Sequence, residues 1–148
     1  MAPLITLLLG SIVARVAGWL GVDYVDSWTA AIAVGLAAMF VLTGVAHFAR
    51  PMRADLIAIV PPRLPAPSLL VTITGVLELL GAVGLALPAT RVAAALCLLV
   101  LMLAMFPANV YASRMPNPPK SMTTQLPLRI AAEVVFLAAA ITVAIGGS

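Results

Sequence analysis

The sequence predicts an all-α integral membrane protein made of hydrophobic helices joined by short polar connections. Three observations carry that prediction. Of 148 residues, 64% are hydrophobic and 9% are charged, and the mean hydropathy is +1.18. Soluble domains carry roughly 25% charged residues, because most of their surface has to hold water. Second, the apolar residues fall into five runs, each close to the roughly 20 residues a helix needs to cross hydrocarbon. Third, the breaks between the runs collect most of the prolines and charges. Helix is the consistent assignment, because in lipid every backbone donor and acceptor must be satisfied within the segment, and runs this long do not read as barrel strands.

The first run, 4–22, is interrupted by Arg15. It lacks a positively charged start, and Arg15 falls where a cleaved signal should be apolar, so it reads as a spanning helix. The second, 28–48, has no charged residue before His47. The third, 68–87, surrounds the single acid Glu78. The fourth, 92–112, holds only the weakly acidic Cys97 and Tyr111, and Pro107 is expected to kink it and free a carbonyl near Leu103. The fifth, 128–145, carries Arg129 and Glu133 near its start. Between the second and third, Pro51, Pro61, Pro62, Pro65 and Pro67 forbid a continuous helix, and the apolar stretch 56–60 is expected to lie along the membrane surface. A second polar loop covers 113–127, and short turns cover 21–27 and 88–91.

Orientation follows from the cations. Arg50, Arg53, Arg63, Arg114, Lys120 and Arg129 belong to the two long loops and their helix junctions, whereas the other side has Arg91 with Asp23 and Asp26. The positive-inside rule therefore places loops 49–67 and 113–127 in the cytoplasm and the C-terminus outside, in a multi-pass protein of the cytoplasmic (inner) membrane. Trp19, Tyr24 and Trp28 would then form an aromatic belt at the outer interface. The net charge of +3 is explained by this bias, and without aromatic interleaving it does not read as a nucleic-acid surface.

Ionisable groups at membrane depth are costly, so each is a candidate binding residue. Glu78 lies ten residues past Ser68, and Arg15 eleven past Leu4, so both are expected near mid-depth. An Arg15–Glu78 pair is the natural expectation if their helices are neighbours. The alternative is a protonated, neutral Glu78, since a low dielectric disfavours the charged form. Gly75 and Gly81 flank Glu78 and are expected on one broad face, for close helix packing or as a cleft for a flat ligand. A second group, His47, Asn109, Tyr111 and Glu133, gathers near the cytoplasmic interface, where it either lines a polar pocket or satisfies itself and the headgroups.

Several chemistries find no support. Cys97 is alone, so neither a disulfide nor a thiol redox pair is available. One histidine with scattered acids falls short of a metal site or a bis-histidine haem. GVLELLGAVG lies inside a hydrophobic run and is no phosphate loop.

Five segments in order resemble the DoxX-like membrane proteins: FVLTGVAHF (40–48), RADLIAIVPPRLPAP (53–67), TGVLELLGAVGLALPATR (74–91), AMFPANVYA (104–112) and LPLRIAAEVVF (126–136). The resemblance implies a four-helix transmembrane bundle over 28–148, with 1–27 forming an additional N-terminal hydrophobic helix and its outer turn. His47, Glu78, Pro107 and Asn109 fall within the matching motifs, whereas Glu133 stands where the family would have Gln. Relatives of this kind act as subunits of respiratory or sulfur-oxidising quinone enzymes, or as accessory factors. The expected function is thus a membrane accessory protein, without catalysis of its own, binding a partner membrane or respiratory protein, a lipid or a quinone. No cofactor is evident beyond that quinone candidate. The alternatives are a quinone-linked oxidoreductase subunit and a small-solute or proton-coupled carrier using Glu78. Five helices are few for a monomeric carrier, so a homo-oligomer would be expected there.

Overall fold

The computed structural model describes residues 1–146; residues 147 and 148, the end of the expected 28–148 region, lie outside the described residues. Among the described residues six α-helices follow one another: α1 (Ala2–Trp19), α2 (Trp28–Ala46), α3 (Met52–Ala58), α4 (Pro67–Ala86), α5 (Arg91–Arg114) and α6 (Leu126–Gly146). All except α3 are long and apolar enough to cross a membrane. Their bounds follow local chemistry. Ser27 caps α2 by accepting a hydrogen bond from the Ala30 amide at 3.1 Å. Pro67 opens α4, where its missing N–H costs nothing. Pro107, where a kink is expected, lies inside α5, which runs on to Arg114.

α2 is the hub, packed against α1, α4 and α6, while α5 packs against α4 and α6. The contacts close a ring in the order α2, α4, α5, α6, with α1 lying along α2. Leu36, Leu85, Leu98 and Val143, one from each ring helix, are fully buried at its centre, and Met39, Phe40 and Met102 extend the same core. Small residues set the closest approaches. A Cβ on Gly35 would fall 2.1 Å from Ser11 Oγ on α1, and one on Gly75 would fall 2.5 Å from His47 Cβ. Only glycine lets these backbones meet.

In α3 and the residues after it, Ile59 is 4% exposed and packs with Ala112 and Met122, while Leu56, Ile57 and Val60 are half-buried. Across the same junction Ser121 Oγ donates to the Asp55 carboxylate at 2.5 Å. The two long loops are therefore neighbours on one end of the molecule, tied by an apolar contact and a hydrogen bond.

Candidate functional site

The expected Arg15–Glu78 pair does not form. α1 spans Ala2–Trp19, so Arg15 sits one turn from its C-terminal end rather than at mid-depth. From there it reaches Asp26 at 3.3 Å, and its guanidinium lies 5.1 Å from the Trp19 ring centroid and 5.8 Å from that of Trp28. The two indoles meet edge to face at 6.3 Å. Asp26 lies just past the helix end, so a long side chain satisfies the charge locally. Arg91 stacks over Tyr24 at 5.3 Å and donates to the Leu85 carbonyl, with Nη2 buried and unpartnered.

Glu78 has no such exit. It occupies the middle of α4 and is 2% exposed, facing α2 beside Gly44. Its ionisable neighbour is His47, the first residue past the α2 span, whose Nδ1 stands 3.8 Å from Glu78 Oε2. That separation is too long for a hydrogen bond. His47 Nδ1 is 2.8 Å from the Thr43 carbonyl, which can only accept, so the Nδ1 hydrogen points there and not at the acid. The Thr43 hydroxyl sits beside the same carboxyl, but it donates to the Met39 carbonyl at 3.2 Å. Glu78 Oε2 is left buried and without a hydrogen-bond partner. An unmet buried acceptor costs about 1–3 kcal/mol, more when charged. Packing alone would not select it.

The His47 backbone is tied to the loop end of the molecule. Arg53, on α3, donates to the His47 carbonyl at 2.9 Å, to Thr72 Oγ1 at 2.9 Å and to the Ser68 carbonyl at 3.2 Å. Burial lowers the His47 pKa from its ordinary value, the Thr43 hydrogen bond opposes that shift, and the nearby Arg53 charge reinforces it. The ring is therefore neutral near pH 7, with Nε2 as its open acceptor. Glu78, His47 and Arg53 form a polar run from the core to the loop face.

The other predicted residues separate. Asn109 accepts a hydrogen bond from Arg129 Nη1 at 3.0 Å, and Arg129 also donates to the carbonyls of Met122 and Thr124, clamping the second long loop onto α6. Glu133, one turn further along α6, has Oε1 buried without a partner. Tyr111 is half-buried near the end of α5. Among the described residues no hydrogen bond or ion pair joins His47 to Asn109, Tyr111 or Glu133. Gly75 and Gly81 also part: Gly75 admits His47 and Phe48, whereas Gly81 admits Leu98 of α5. Six residues advance a helix by about 600°, which puts them on different faces.

Sequence reasoning missed Arg53, Thr43 and Asp26 as partners. Thr43 was within reach, being one helical turn before His47 on the same face. Arg53 was not, because the chain between it and His47 passes Pro51 and reverses.

No curated protein and no solved structure matches the chain. A family model does match, over residues 36–144, from inside α2 almost to the end of α6. The chain belongs to the family described as Domain of unknown function (DUF8561).

Proposed function

We propose that this chain is a multi-pass membrane accessory protein of the DoxX-like type, whose helix bundle binds a hydroxyl-bearing, lipid-soluble ligand of the quinol class at Glu78 and His47. One observation carries the reading: Glu78 Oε2 is a buried acceptor with no donor, beside a neutral imidazole whose Nδ1 is already committed. A ligand hydroxyl would supply the missing hydrogen bond, and His47 Nε2 is the adjoining proton acceptor. Such a protein would serve a respiratory or other quinone-using partner rather than perform the oxidation.

The membrane arrangement belongs to the same proposal. Five apolar helices and the six cations on the paired long loops support a cytoplasmic-membrane protein with both loops inside and the C-terminus outside. A four-helix core with α1 as an addition is supported by the ring of α2, α4, α5 and α6, and by a family match that begins inside α2.

The test is thermal unfolding of the purified protein in lipid nanodiscs with a short-chain quinol analogue. Ligand at 100 times its Kd stabilises by about 2.7 kcal/mol, an easily measured shift in Tm. The shift should vanish in Glu78→Gln, which keeps the shape and removes the charge. No shift in the wild type overturns the reading. A second reading, a proton-coupled carrier, draws on the polar run from Glu78 through His47 to Arg53. It requires proteoliposome flux that Glu78→Ala abolishes.

A further inference from the structure

On the loop face, a groove of about 500 Å³ opens beside the end of α2, lined by Arg50, Pro51, Arg53, Ala54 and Ile57. Two of its five lining residues are cations and none is an acid. The nearest acid along α3, Asp55, is occupied by Ser121. We propose that this groove binds the phosphate of an anionic phospholipid headgroup.

The chemistry is in how the two arginines are held. Arg53 is half-buried and fixed by its three hydrogen bonds to His47, Ser68 and Thr72. Those bonds go to two carbonyls and a hydroxyl, so none neutralises its charge. They use three of the five N–H groups of a guanidinium and leave its positive charge uncompensated. Arg50 is exposed at the other side of the groove and is free to close over the same anion. A fixed cation loses little side-chain entropy on binding, and paired arginines suit phosphate geometry. Pro51, Ala54 and Ile57 give the groove an apolar wall, which suits the glycerol and upper acyl carbons of a lipid and offers nothing to a free ion. The groove lies beyond the last residue of the α2 span and before the first of α4, at the level where a bilayer would place its phosphates. Basic residues near such a surface gain about 1 kcal/mol each from anionic lipid.

The inference rests on the multi-pass membrane reading but not on the ligand proposed for Glu78. Its test uses the full chain in detergent micelles, titrated with a short-chain phosphatidylglycerol, a short-chain phosphatidylcholine, or inorganic phosphate, with Tm as the readout. Phosphatidylglycerol should raise Tm by several degrees, and phosphatidylcholine and millimolar phosphate should not. Arg50→Gln and Arg53→Gln should each remove most of the selective shift, while Arg63→Gln, Arg114→Gln and Glu78→Gln keep it. Because Arg53 also braces the fold, the exposed Arg50 is the decisive variant. An equal response to the two lipids overturns the headgroup site, as does an equal loss in Arg63→Gln, which would mark a diffuse charge effect. A phosphate response matching that of phosphatidylglycerol assigns the groove to a free anion and overturns the lipid. Failure of the membrane reading has its own signature, a protein that stays soluble and folded after detergent removal.

Discussion

Arg15 and Glu78 interrupt otherwise apolar helices, and the molecule treats them in opposite ways. The Arg15 side chain is 14% exposed and meets Asp26, itself 69% exposed, under a roof of two tryptophans. The Glu78 side chain is 3% exposed and faces a histidine it does not hydrogen-bond. The difference lies in distance from a helix end and in side-chain length. A long flexible cation one turn from the end can carry its charge to the interface. A short carboxylate in the middle of α4 cannot, so its surroundings must come to it. The outer charge thus meets an opposite charge, although Arg15 Nε stays buried without a hydrogen-bond partner, whereas the inner carboxyl meets neither an opposite charge nor a donor at Oε2.

The comparison is most sharply tested through the backbone that builds the inner site. In Gly75→Val the new Cβ would sit 2.5 Å from His47 Cβ, so α2 and α4 must separate. A loss of about 3 kcal/mol is expected by analogy with overpacked cores, measured by denaturant titration in micelles. The outer turn gives the contrast. Gly21 has a φ of 100°, and a Cβ added there would meet nothing within 4 Å, so Gly21→Ala should cost only about 1 kcal/mol of backbone strain. Equal losses would mean that the inner helix contact is no tighter than the outer turn.

Removing each charge should produce effects of opposite sign. Glu78→Met replaces an unpartnered buried acceptor with an apolar chain of similar size, and is expected to be neutral or to stabilise by about 1 kcal/mol. Arg15→Met removes an exposed ion pair and two cation–π contacts, with an expected loss of about 1 kcal/mol. Thermal unfolding of the two variants side by side checks both. If Glu78→Met destabilises as much as Arg15→Met, then Glu78 is a structural group and its candidacy as a binding residue falls.

The same contrast explains what could be read in advance. The five long helices were legible because each is a continuous apolar run with polar punctuation, and their observed ends lie within three residues of the expected ones. Those few residues decide the Arg15 question: taking the first run as 4–22 centres the arginine, whereas a helix over Ala2–Trp19 puts it beside the turn that holds Asp26. Glu78 was recognisable as a lone acid in an apolar run. Its partner was not, because periodicity gives a residue's face but not which helix covers that face. Depth groups His47 with Asn109, Tyr111 and Glu133, yet depth is shared by every helix end on one side. What separates them is the ring order, which places α4 beside α2 and lets Gly75 bring His47 onto Glu78. Arg53 counts toward orientation in the sequence, but its role as the brace on His47 depends on the reversal of the chain after α2.

A smaller effect isolates the outer ion pair. Asp26→Asn keeps the shape of the carboxylate and removes its charge. Because the acid is largely exposed, the expected loss is below about 1 kcal/mol, shrinking further at 1 M salt, where charges more than about 3 Å apart are screened. A salt-independent loss would show that Asp26 acts through packing or hydrogen bonding.

The finest test is the pH dependence of the inner site. Burial, with Arg53 nearby, lowers the His47 pKa below its ordinary value of 6.5. The facing charged groups are Glu78 from α4 and Arg53 from α3. Above pH 6.5 the ring is neutral whether folded or unfolded, so the full stability is present. As pH falls below 6.5 the unfolded ring takes up a proton that the folded ring resists, and stability declines until the folded value is passed. His47→Gln, whose amide can still donate to the Thr43 carbonyl, should flatten that part of the profile, while Glu78→Gln should leave the decline in place. A profile that stays flat in the wild type would mean that Glu78 takes the imidazolium as an ion-pair partner on acidification. In that event the inner site would also settle its charge locally, and the distinction from Arg15 would be one of pH alone.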